Sequence, residues 1–134
     1  MIGLVIATHG TLGEALLETA AMIVGPIAGA RAVSLSREQS PEDLVRQLER
    51  AIAAVEDGGG VLVAADMFGG TPANVAMTLL TPGRVELLTG VNLPLLLKFV
   101  SYRERCSLPE LAGLLKEHAR DGIILAGELL RHQS

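Results

Sequence analysis

Two runs of apolar residues, Ile2 to Ala7 and Val61 to Ala65, are continuous rather than alternating, and behind them apolar residues recur at helical spacing. A strand with one face in water alternates polar and apolar residues. A continuous run therefore marks a strand buried on both faces, the habit of parallel sheets covered by helices. Ala32 to Leu35 and Val85 to Leu88 are shorter strand candidates in the same rhythm. The pattern predicts an α/β fold: a three-layer sandwich whose central, mostly parallel sheet is flanked by helices.

The helices are marked by spacing and by their ends. Leu12, Leu16, Ala20 and Ile23 line one face of the first, with Thr11 and Glu14 as a capping-box pair ahead of it and Gly25-Pro26 as its stop. Ser40, Pro41 and Asp43 open a second helix carrying Leu44, Leu48, Ile52 and Val55 on one face, and Gly58-Gly59-Gly60 ends it. Pro72 opens a third through about Leu80, a fourth begins near Pro94, and Ser107 with Glu110 caps a fifth. Gly122 to Leu130 reads two ways, because Ile123, Ile124 and Leu125 suit a strand while Glu128 to Arg131 suit a helix. No linker, fixed-period repeat or low-complexity tract divides the chain, so residues 1–134 read as one domain.

Composition narrows the function. Hydrophobic residues make up 49% of the chain, with mean hydropathy +0.42, which argues against disorder. Aromatic residues are only 2%, so the core must be built from Leu, Val, Ile and Ala. Every long apolar run is cut by Gly, Pro, Asn or a charge before the ~18 to 20 residues that a membrane span needs. The start, MIGLVIATHG, has no basic segment ahead of its apolar run and does not read as a secretory signal. A single cysteine, Cys106, precludes an internal disulfide, and the expected location is the cytoplasm. A net charge of −4 and a pI near 5.3, with no stacking aromatics, disfavour nucleic acid as a partner. Cys106 has no Cys or His at ligand spacing, and neither a P-loop nor a dinucleotide fingerprint can be completed, so no metal and no cofactor is expected.

In an open parallel sheet, reactive loops lie at the carboxyl ends of the strands, and ligands sit where the strand order reverses. Those ends carry His9, Ser36, Asp66 and the Gly90-Val91-Asn92 turn. A sheet order of 2-1-3-4 puts the reversal between strands one and three, where His9 and Asp66 meet. A carboxylate on one imidazole nitrogen fixes the tautomer, leaves the other nitrogen for attack, and stabilises the cationic product. Gly69-Gly70-Thr71-Pro72 offers an anion cradle, through close backbone approach, unpaired N–H groups and the Thr71 hydroxyl. Gly10, just before the first helix, would bring a second helix start to the same phosphoryl group. The bland reading of each part, a turn histidine, a capping aspartate and a geometric glycine turn, stands beside the functional one, and their conjunction favours the site. His118, near a helix C-terminus, reads as a surface residue, and His132 is given no role.

Three blocks in order, VIATHG at Val5 to Gly10, DMFGGTPAN at Asp66 to Asn74 and TGVNLPLLL at Thr89 to Leu97, resemble the IIA component of the mannose-class (mannose/fructose/sorbose) sugar phosphotransferase system. The resemblance covers essentially the whole chain. It implies a phosphocarrier: the Nε2 atom of His9 would accept a phosphoryl group from the histidine-containing phosphocarrier HPr and pass it to a IIB component. It also implies that Asp66 holds the ring and that Thr71 contacts the phosphoryl group. A homodimer is implied as well, in which a C-terminal strand pairs antiparallel with the partner's sheet, and this suits the ambiguous Ile123 to Leu130 tail. With the chain ending at Ser134, a IIB domain is expected on a separate polypeptide, and no residue names a sugar. The alternative is a standalone regulatory phosphoprotein, whose His9 phosphorylation controls a kinase, enzyme or transcription factor. Met67, Phe68 and Leu93 are candidate docking residues, with Phe68 equally suited to plugging the loop.

Overall fold

A computed structural model describes residues 1–132; Gln133 and Ser134 lie outside the described residues. Four strands, β1 (Gly3–His9), β2 (Ala30–Leu35), β3 (Val61–Ala65) and β4 (Val85–Thr89), form one all-parallel sheet in the order β2-β1-β3-β4. The helices are α1 (Leu12–Val24), α2 (Pro41–Val55), α3 (Thr71–Met77), α4 (Leu93–Tyr102), α5 (Leu108–Asp121) and α6 (Ala126–His132).

The continuous apolar runs have a direct structural reason. Leu4 and Ile6 of β1, with Leu62 and Ala64 of β3, enter a core shared with α1, α4 and α5. Val5 and Ala7, with Val61 and Val63, enter a second core closed by α2 and α3. Successive side chains of a strand point to opposite faces, so a strand covered on both sides must be apolar at every position. Gly3 lies against the C-terminal end of α2, where an added Cβ would collide with the Val55 carbonyl.

Three local expectations are corrected. Thr11 stands at the α1 N-cap but makes no capping bond; the buried Thr8 hydroxyl instead accepts the Gly13 N–H at 2.8 Å, and Glu14 is engaged by the Ser34 hydroxyl at 3.2 Å. Helix α3 stops at Met77 rather than near Leu80, because residues 78–80 tighten onto carbonyls three positions back and the Thr78 hydroxyl donates to the Val75 carbonyl. The tail forms no strand: 123–125 are irregular and Ala126–His132 is helical. An unpaired strand leaves its N–H and C=O groups without partners, whereas a helix satisfies its own. Ser40 and the Ser107/Glu110 box cap α2 and α5 as the sequence predicts.

One buried charge organises the amino-terminal edge of the sheet. Arg103, following α4, donates from Nε and Nη2 to the Ile2 carbonyl and from Nη1 to the Ala28 carbonyl, and its guanidinium lies 4.8 Å from the centre of the Phe99 ring. It ties α4 to the chain just before β1 and β2. No helix among the described residues is long and apolar enough to cross a membrane.

Candidate functional site

The sheet order places the reversal between β1 and β3, and the site forms at its carboxyl edge. In the β1/β3 ladder Ala7 is level with Ala65, so Asp66 leaves β3 one residue short of the height at which His9 ends β1 on the neighbouring strand. His9 Nδ1 lies 2.8 Å from Asp66 Oδ2. The same oxygen accepts the His9 backbone N–H at 3.1 Å, and Oδ1 accepts the Met67 N–H at 3.0 Å. Burial pushes the Asp66 carboxyl up, but the hydrogen bonds from the His9 ring and backbone, the charge of His9 and the turn's own N–H outweigh it. The net effect holds the carboxyl below the usual carboxylate range and keeps it ionised, so Nδ1 carries the proton and Nε2 has the lone pair. The Asp66 side chain is only 13% exposed and that of His9 is 47% exposed, which leaves the ring reachable from solvent while its orienting partner is covered.

Gly70 explains how the next turn comes so close. A Cβ built there would stand 2.9 Å from His9 Cε1 and 3.5 Å from Nε2, so any side chain would press on the imidazole. Gly69, at φ +87°, gives the turn a backbone conformation that other residues rarely adopt. Thr71 begins α3 and is exposed, and no hydrogen bond within the described chain engages the N–H of Gly70 or Thr71. With seven residues, α3 contributes local N–H donors more than a long macrodipole.

Gly10 is placed differently from the expectation of a phosphoryl donor. Its N–H bonds to the Leu35 carbonyl at 3.3 Å and its carbonyl accepts the Ser34 hydroxyl, while φ of +55° turns the chain into α1. The cleft beside His9, about 570 Å³, is lined by the β2–α2 loop and by the turn before α3, not by Gly10 or Thr11. The anticipated pair of helix starts around the imidazole is thus one turn facing one loop. Sequence reasoning stopped at Ser36 on that loop and missed Arg37, whose signal was a cation two positions past the carboxyl end of β2. Phe68 is 71% exposed and lines a separate apolar groove with Met77, Leu80, Leu87 and Leu88, so it is not a buried plug. Leu93 is half-buried against the α1/α4/α5 core, and Met67 is exposed at the cleft.

Fold and site together define an open α/β domain with a carboxylate-backed, solvent-reachable histidine at its topological switch point. The chain belongs to the family described as PTS system fructose IIA component, whose model matches residues 3–115, and thus to the mannose/fructose/sorbose EIIA group of the sugar phosphotransferase system. It is 32% identical over 131 residues to the PTS system fructose-specific EIIA component of Bacillus subtilis, covering 97% of this chain and 90% of that protein. Identity to the PTS system mannose-specific EIIAB component of Escherichia coli K12 is also 32%, over 91% of this chain but 38% of the longer relative. Among solved structures, phosphotransferase system component EIIA from Streptococcus agalactiae superposes with a TM-score of 0.86 at 26% identity, over 96% of this chain and 99% of that one. The mannose/sorbose specific IIA subunit from Enterococcus faecalis gives 0.80 at 28% identity, over 91% and 92%. The α/β sheet order 2-1-3-4 matches these EIIA structures.

Proposed function

We propose that the protein is a phosphocarrier that accepts a phosphoryl group from HPr on Nε2 of His9 and hands it to a IIB component. The observation that carries this reading is the 2.8 Å contact between Asp66 and His9 Nδ1, which leaves Nε2 as the nucleophile. As the Nε2–P bond forms, the donor's P–N bond breaks, and its electron pair stays with the donor imidazole. The His9 ring gains positive charge while Nδ1 keeps its proton, and the Asp66 carboxylate compensates that charge. Gly69, Gly70 and Thr71 supply the cradle, since phosphoryl transfer needs mainly positioning and charge stabilisation. Residues 1–134 work as one domain on this reading, in the cytoplasm.

Incubation with phosphoenolpyruvate, enzyme I and HPr should place one acid-labile phosphoryl group on the protein. H9A should take none; labelling that survives in H9A would overturn the assignment.

The same reading includes a homodimer. Edge strand β4 is half-buried along its length, and Ile123, Ile124, Leu125, Leu129 and Leu130 are all exposed on the tail. A second copy's tail, laid against that edge, would give both surfaces a partner.

A further inference from the structure

The wall of the His9 cleft holds a cation that the fold does not use. In the β1/β2 ladder His9 is level with Leu35, so Arg37 stands two residues, about 7 Å of extended chain, past the neighbouring strand end. Arg37 lines the same cleft as His9, Gly69, Gly70 and Thr71, and among the described residues it is the cleft's only Lys or Arg. Among the described residues it has no hydrogen bond, ion pair or ring contact, whereas Arg46 is paired with Asp43 and Arg103 with backbone carbonyls.

Its loop is nonetheless braced. Gln39 Oε1 accepts the Ser36 N–H at 3.0 Å, the Gln39 N–H reaches the Ser36 carbonyl at 3.4 Å, and Gln39 Nε2 donates to Gln47 of α2 at 2.9 Å. Arg37 therefore occupies the first corner of a turn pinned at both ends. A planar guanidinium without a partner, held on a built turn across a cleft from an imidazole nitrogen, is suited to a doubly negative phosphoryl group.

We propose that Arg37 is a phosphoryl-holding residue: its guanidinium donates to the non-bridging oxygens of the group carried on His9 Nε2, opposite the Gly70 and Thr71 N–H groups. This rests on the phosphocarrier reading above. Arg37 makes and breaks no covalent bond; the Nε2–P bond forms as the donor's P–N bond breaks, and Arg37 offsets the charge on the transferring oxygens.

The test uses two donors. Phosphoramidate, whose P–N bond breaks with release of ammonia, reports on the cleft alone, and phosphorylated HPr adds protein docking. R37A and R37Q are expected to form phosphohistidine about 10- to 100-fold more slowly with both donors, as loss of a charge-assisted hydrogen bond predicts. R37K should recover part of the rate, and the phosphorus NMR signal of the phosphorylated protein should shift in R37A. Rates equal to wild type with phosphoramidate would overturn the role, and a loss confined to phosphorylated HPr would do the same by moving Arg37 to donor docking. Wild-type protein that accepts no phosphoryl group from either donor would instead overturn the carrier reading, and Arg37's role with it.

Discussion

At the scale of the residue, Asp66 carries a pH dependence whose sign follows from its surroundings. Its carboxyl is held below the usual carboxylate range in the folded protein because the His9 ring and nearby N–H groups favour the anion despite burial. A group with a depressed folded pKa contributes stability that is fully present above its unfolded value and is lost as pH falls through the folded one. The unfolding free energy of wild type relative to D66N should therefore be flat above about pH 5 and fall steadily below about pH 4. Denaturant melts across that range check it, and a difference independent of pH would show that the carboxylate is not the paired group. The His9/Asp66 pairing was legible in the sequence, because both residues follow buried runs whose ends a parallel sheet aligns. Arg37 was not, since a lone arginine after a short strand looks like any solvated loop charge until its cleft and its lack of partners are seen.

At the scale of the element, the caps separate sequence signature from structural use. Ser107 and Glu110 exchange both capping bonds, at 3.4 and 3.0 Å, as their spacing predicts. Thr11 and Glu14 have the same spacing, but the buried Thr8 hydroxyl takes the Gly13 N–H and Ser34 reaches across from β2 to Glu14. A tertiary contact from a neighbouring strand has displaced a local one. T8V should cost about 1 to 2 kcal/mol, because it removes the acceptor of a buried N–H, whereas T11A should stay within about 0.5 kcal/mol. Urea unfolding of the two variants at unchanged m-value decides between them, and equal costs would restore the capping box. The end of α3 teaches a similar lesson, since the apolar spacing continued to Leu80 while the backbone tightened after Met77.

At the scale of the whole molecule, the amino-terminal edge of the sheet is closed by Arg103 and its carboxyl-terminal edge is left open for His9. The exposed apolar tail is the feature without a settled place in one chain. If a second copy covers it, sedimentation equilibrium should give twice the chain mass, and a chain ending at Gly122 should sediment as a monomer while keeping its circular dichroism. A full-length chain that sediments as a monomer at tens of micromolar would overturn the dimer. The tail's two readings could not be resolved along the sequence because Ile123 to Leu125 are apolar enough for a strand, yet strand formation depends on a partner edge that the sequence does not name.

Sequence alone determined the layers and the strand ends, because continuous apolar runs demand cover on both faces and helical periodicity supplies it. It also determined which histidine and which aspartate stand at those ends. Tertiary structure decided what local spacing cannot carry: that Thr8 rather than Thr11 holds α1, that Gly10 spends its N–H on Leu35, and that the β2–α2 loop brings Arg37 into the His9 cleft. Each of these depends on a neighbour more than twenty residues away or on a side chain's position in space. Hydrogen bonds and charges act over a few ångströms, and only the folded chain says which groups come that close.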